Sequence, residues 1–260
     1  MAALRAAGGY TVMGAYDRAR SPADAAGGVD VLVIATPDAA VSATAAQVIP
    51  VPGTVVVHLS GSLGLDVLAP HPHRASLHPL VPLPNPEVGA ARLRSGVTFA
   101  VAGDPVARAM AEALGGRVVE VADELRTNYH AAATIAANHL VALLGQVERV
   151  AATAGLPLSA FAGLIHAAAE DALVLGPHDA LTGPAARGDW ATMDRHRSVL
   201  ASMPGSRTEL DVHDAMVALA RRLSMDTPDA GAGADLEPST ADTFAAPSTL
   251  APTPTVEQVA

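Results

Sequence analysis

Apolar residues in the first half of the chain fall into short runs separated by stretches of helical periodicity. Residues 10–16 (YTVMGAY) read as a strand. Residues 29–36 (VDVLVIAT) form an unbroken apolar run, as expected of a strand buried on both faces of a parallel sheet. A helix then opens at Pro37-Asp38 and continues to about Val48, with Asp38 as its expected cap. Residues 53–59 (GTVVVHL) read as the next strand, ending in Ser60-Gly61-Ser62, and residues 96–102 (GVTFAVA) as another. A helix over 105–114 and a strand over 117–121 (RVVEV) close the series. Strands that alternate with helices predict an α/β domain, a doubly wound and mostly parallel sheet, over residues 1–122.

The pattern then changes. Helical periodicity covers about 124–154, 158–175, 189–202 and 209–224, and no strand signal follows Val121. An all-α C-terminal domain is therefore expected over 123–225. Residues 226–260 are rich in Pro, Ala, Thr, Ser and Gly, with almost no large apolar side chains. Such a segment has too little surface to bury against its ordering entropy, so it is expected to be a disordered tail. Its removal is expected to change neither stability nor ligand binding. The start is unusual. A doubly wound domain opens with a strand, a glycine-rich turn and a helix. Residues 1–9 instead read as the end of a helix stopped by Gly8-Gly9 and leading into a strand. The first strand and its glycine turn are expected to be missing, with their neighbours left unpaired.

Composition narrows the chemistry. There is no cysteine, which removes disulfides, thiolate nucleophiles and cysteine-ligated zinc. All 16 basic residues are arginine, so Schiff-base chemistry and a P-loop lysine are excluded. The net charge of −10 argues against nucleic acid as a partner. Six of the acids lie in residues 226–260, leaving 20 acids against 16 bases elsewhere. No apolar run is long enough to span a bilayer, and the start lacks the order of a signal peptide. A soluble, cytoplasmic protein with no membrane partner is expected.

Three segments carry candidate chemistry. On the 124–154 helix, His130, Thr134 and Asn138 are spaced i, i+4, i+8 and would stack on one face among Ala, Ile, Leu and Val. That stripe either satisfies core hydrogen bonds or lines a wet cleft. His78, in Ser76-Leu77-His78-Pro79, is expected in a loop at the carboxyl edge of the sheet, where open α/β folds bind ligands. An ordinary histidine pKa suits a proton donor to a carbonyl or imine. His71, His73 and His78 also resemble part of a zinc set, but no carboxylate or fourth ligand follows at familiar spacing, so no metal is expected. In Leu181-Thr182-Gly183-Pro184-Ala185-Ala186-Arg187-Gly188-Asp189, Asp189 reads as a helix cap. Arg187 there would either clamp a substrate carboxylate or form a salt bridge.

ATPDAAV, VVVHLSGS, SLHPL, YHAAATIAANHLVALL and ALTGPAARGD, in this order, resemble a family of Rossmann-like oxidoreductases of unknown function. These are relatives of pyrroline-5-carboxylate reductase, ketopantoate reductase and the 6-phosphogluconate dehydrogenase superfamily. The resemblance covers about residues 2–224. It implies an N-terminal NADP(H)-binding domain, a helical domain that forms a homodimer, and a cleft for a small-molecule substrate. Better-known dehydrogenases of the superfamily place a lysine four residues before the helix asparagine, where this chain has Thr134, so His78 or His130 would supply the acid. At the end of the 10–16 strand, Arg18, Arg20 and Ser21 would hold a 2′-phosphate, or merely decorate a turn. NADP(H) is favoured over NAD(H). Thr36, Pro37, Asp38, Ser60 and Gly61 would lie under the cofactor, and Asn138 and Arg187 would orient the substrate. The expected reaction is reduction of a small 2-oxo acid or cyclic imine, with ketopantoate first. The alternative is a non-catalytic ligand-binding or partner protein on a decayed reductase scaffold. Without the glycine turn, NADPH binding is expected to be at least about a hundredfold weaker than in a chain that has one.

Overall fold

The structure is a computed structural model that describes residues 2–16, 20–225 and 253–259. Helix α1 (Ala2–Ala7) leads into strand β1 (Thr11–Tyr16). Strand β2 (Val31–Ile34) has all four side chains buried, as a run without polar members requires. Helix α2 (Asp38–Gln47), strand β3 (Val55–His58) and strand β4 (His73–Pro79) follow. Helix α3 (Pro86–Arg92) is capped by Asn85, whose Oδ1 accepts from the Val88 N–H at 2.9 Å. Strand β5 (Thr98–Gly103), helix α4 (Val106–Ala113) and strand β6 (Arg117–Glu120) complete the alternating part.

One further strand, β7 (Thr255–Val259), lies at the far end of the chain. The sheet has the order β1-β7-β2-β3-β4-β5-β6, and every neighbouring pair is parallel except β4 with β5. The expectation of a structureless tail is therefore wrong for residues 255–259; residues 226–252 lie outside the described residues. The expectation of unpaired strands beside a missing first strand is also overturned. β7 fills the place between β1 and β2, with Thr11 opposite Thr255, Val31 opposite Val256 and Ile34 opposite Val259. Its start is held by Asp30, whose carboxylate accepts from the Thr255 N–H at 2.6 Å and from its hydroxyl at 2.7 Å. These bonds hold the Asp30 carboxyl below its ordinary pKa. Val256 and Val259 are buried.

Alternation along β2 divides the core between the two faces of the sheet. Val31 and Val33 pack with Val57, Leu77, Phe99, Met110, Val256 and the α1 residues Ala3 and Leu4. Leu32 and Ile34 pack on the other side with Val41 and Ala45 of α2, Val56, Leu68 and Val259. Successive strands β1 and β2 flank β7, and open α/β sheets bind ligands at the carboxyl ends of their strands.

The second half is helical: α5 (Arg126–Thr134), a π turn (Ile135–His139), α6 (Leu140–Thr153), α7 (Ala162–Val174), the short α8 (Pro177–Ala180) and α9 (Pro184–Arg187), α10 (Trp190–Ala201) and α11 (Ser206–Met225). The chain divides into two units, one drawn from Met1–His139 and Pro247–Ala260 and the other from Leu140–Ala246. In the second unit, Arg149 Nε donates to Glu209 at 2.6 Å and Gln146 donates to the Glu209 carbonyl at 3.0 Å, tying α6 to α11. Among the described residues no single helix is long and apolar enough to cross a membrane.

Candidate active site

The carboxyl ends of β2, β3 and β4 converge on one group of polar residues in the first unit. Asp38 was expected to cap α2; it is instead the first helical residue, and Pro37 holds the cap position without a side-chain bond. Its Oδ2 accepts from the Ser60 hydroxyl at 2.7 Å and the Ser62 hydroxyl at 2.9 Å. This fixes the Ser60-Gly61-Ser62 turn where β3 ends. Thr36, at the end of β2, has a buried hydroxyl with no partner among the described residues.

His78 was expected in a loop but lies within β4, paired between β3 and β5. Sequence reading missed this strand because prolines flank it and HRASLHP lacks an apolar run; pairing on both edges makes it a strand. His78 Nδ1 and the Tyr129 hydroxyl of α5 are 2.6 Å apart. The His130 ring lies edge-on to His78 with centroids 6.0 Å apart. Gly61 passes so close to both rings that a Cβ would stand 2.6 Å from His130 Cδ2 and 2.9 Å from His78 Nε2. Any larger residue there would force the rings to move.

Burial changes the electrostatics. His78 falls to a pKa of about 4, chiefly by desolvation, with the His130 and Arg126 charges adding to it and Asp38 opposing. It is therefore neutral at pH 7, and the expectation of an ordinary histidine pKa is corrected. Tyr129 is pushed up to about 12 by desolvation, against the pull of Arg126. Arg126 is fully buried; its Nη2 donates to the Ser60 carbonyl at 3.1 Å, while Nε and Nη1 have no partner among the described residues. Desolvation lowers its pKa, opposed by Asp123 and Tyr129. Asp123 also accepts from the Leu65 N–H at 2.8 Å. His58, the last residue of β3, is buried with its Nδ1 accepting from the Ser60 N–H at 3.2 Å.

His58 carries a stability prediction. Desolvation takes its pKa from 6.5 to about 4, with Arg126 adding to the effect and the Gly64 carbonyl, Asp123 and Asp38 opposing. Between those values the unfolded chain binds a proton that the folded chain refuses. Stability is thus fully present above pH 6.5 and is lost as pH falls toward 4. The loss from this one residue is about 3 kcal/mol at full shift. Urea melts at pH 7 and pH 4.5 should show it, and His58→Gln should flatten the dependence.

The expected site residues divide accordingly. Asp38, Ser60, Gly61, His78 and His130 come together. Asn138 lies exposed in the π turn, which interrupts the expected i, i+4, i+8 stack beyond Thr134. Arg187 belongs to the second unit, is exposed, and donates to the Thr182 carbonyl of its own loop. Arg18 lies outside the described residues. Arg20 stacks over the Tyr16 ring at 3.9 Å and faces the charge of Glu257, while Ser21 is exposed and accepts from the Ala23 N–H. His71 is buried with Nε2 against the Ala45 carbonyl at 3.0 Å, a structural role. Tyr129, Arg126 and His58 were missed. Tyr129 lies 51 residues from its partner, and the only sequence signal was its place beside His130.

Residues 96–221 match the model of a domain of unknown function, DUF2520. No curated protein matches the chain. Protein TM1727 from Thermotoga maritima is similar in structure, with a TM-score of 0.63 and 28% identity over 75% of this chain and 78% of that one. BF3122 from Bacteroides fragilis, assigned as an NADP oxidoreductase, has a TM-score of 0.62 and 19% identity over 74% and 75%. The 1-pyrroline-5-carboxylate reductase of Streptococcus pyogenes has a TM-score of 0.51 and 14% identity over 77% and 79%. The matched residues, which include strands β5 and β6 and the helices through α11, are thus similar to DUF2520, and the fold is Rossmann-like.

Proposed function

We propose that the chain is an NADP(H)-dependent oxidoreductase that reduces a small 2-oxo acid or cyclic imine, with ketopantoate as the first substrate to test. The observation that carries this reading is His78, hydrogen-bonded to Tyr129 and set against the bare backbone of Gly61 at the carboxyl edge of the sheet. Two structurally similar proteins, an NADP oxidoreductase and a pyrroline-5-carboxylate reductase, support it. In this reading Thr36, Pro37, Asp38, Ser60 and Gly61 lie along the nicotinamide end of the cofactor. The partnerless Thr36 hydroxyl suits it. Arg20 and Ser21 stand at the end of β1, where the adenosine ribose of such a cofactor lies. The bound cofactor would supply hydride. His78 Nε2–H would face the substrate oxygen or nitrogen, and Asn138 would orient the substrate.

A second reading, ligand binding without catalysis, is favoured by one observation. Position 134, four residues before Asn138, is a threonine, and the chain has no lysine to serve as an acid there. Incubation with NADPH and either ketopantoate or 1-pyrroline-2-carboxylate, with the reduced product identified by mass spectrometry, separates the two. Product formation with matched NADPH loss supports the oxidoreductase. Ligand binding without NADPH loss supports the second reading.

The helical unit is proposed to pair with a second copy of this chain. Val141, Leu164, Leu173, Val174 and Leu175 are each more than half exposed, and Leu173 reaches 88%. So much uncovered aliphatic surface on α6 and α7 supports that reading. Light scattering at micromolar concentration should give the mass of a dimer, and Leu173→Glu should give the monomer. A monomeric unaltered chain would contradict the pairing.

A further inference from the structure

We infer that Tyr129 is the proton source for this site and delivers its proton through His78. The inference rests on the oxidoreductase reading above. The two groups are 2.6 Å apart with their rings edge-on, centroids 5.6 Å apart. A phenol is the better donor and a neutral imidazole nitrogen the better acceptor, so the Tyr129 O–H donates to Nδ1. That assignment leaves the proton of His78 on Nε2, the atom beside Gly61. A neutral imidazole that gave up this proton alone would become an anion. It needs a proton at Nδ1 at the same moment, and Tyr129 is placed to give it. Burial opposes the tyrosinate left behind, and the charge of Arg126, three residues earlier on α5, offsets part of that cost.

The step balances as follows. A bound reduced nicotinamide dinucleotide would supply hydride to the carbon of a C=N or C=O group and would itself be oxidised. The π pair moves to nitrogen or oxygen, which takes the proton from His78 Nε2. The Nδ1–H bond forms as the Tyr129 O–H bond breaks. A solvent proton then adds to His78 Nε2 as the Nδ1 proton returns to the Tyr129 oxygen, which restores the starting state. The product is an amine or alcohol.

Tyr129→Phe tests this. It removes one oxygen and keeps the ring. kcat for NADPH oxidation with the reducible substrate should fall by about 10²-fold, the scale of a lost acid, with KM nearly unchanged. Mixed H2O/D2O rates should indicate two protons in flight in the unaltered chain and one in the variant, a change that a packing role would not produce. In the 15N spectrum of histidine-labelled protein at pH 7, His78 should be the Nε2–H tautomer, and the variant should lose that strict preference. Unaltered turnover by Tyr129→Phe, or an Nδ1–H tautomer in the unaltered chain, overturns the relay and leaves the oxidoreductase reading standing. If the unaltered chain reduces nothing, the functional reading fails and the relay fails with it.

Discussion

A chain lacking residues 253–260 should fail to fold its sheet and accumulate as insoluble or unfolded protein. β7 is hydrogen-bonded on both sides, to β1 and to β2, so its loss opens two strand edges at once in the interior of the sheet. It also removes Val256, fully buried, and Val259 from the two cores. Domains are stable by only about 5–15 kcal/mol, and losing two ladders and two buried valines consumes most of that. A milder form of the experiment is Val256→Asp, which puts a carboxylate where no partner exists. It should cost several kcal/mol and lower Tm by roughly 10 °C. A peptide of residues 253–260 added during refolding of the shortened chain should restore solubility in part. A shortened chain with an unchanged melt would show that β7 contributes nothing to the sheet.

Gly61→Ala should abolish most turnover while the fold survives. The added methyl carbon would stand 2.6 Å from His130 Cδ2 and 2.9 Å from His78 Cε1 and Nε2, inside any allowed contact. Both rings must turn away, and the His78–Tyr129 hydrogen bond turns with them. A loss of at least about 10²-fold in kcat is expected, comparable to that of His78→Ala. Melting should fall by only a few degrees, because the displaced rings are half-buried. If Gly61→Ala and His78→Ala both keep normal rates of NADPH oxidation, the chemistry lies elsewhere.

Much of the fold is legible in the residues. β2, β3 and β5 are apolar runs because both faces of the sheet are covered, and nothing but depth of burial is needed to read them. The helical second half is legible from periodicity and from the Asp189 cap, whose carboxylate accepts from the Thr192 N–H at 3.1 Å. What escapes is set by partners distant in sequence. The TVEQV of β7 is too short and too polar to stand out, and it becomes a strand only because Asp30, 225 residues away, holds Thr255 in a slot between β1 and β2. His78 was legible as a candidate, but its place inside β4 and its neutral state were not. The neutral state depends on burial by α5 and on the charge of Arg126, which no spacing rule reveals.

The central claim is that the nicotinamide end of NADP(H) lies against Gly61, His78 and His130. Titration of NADPH into the 15N-histidine-labelled chain tests it most directly. Saturable binding that moves the His78 and His130 signals together is the predicted result, tighter for NADPH than for NADH. Signals of His78 and His130 that stay fixed at saturating NADPH would contradict the account.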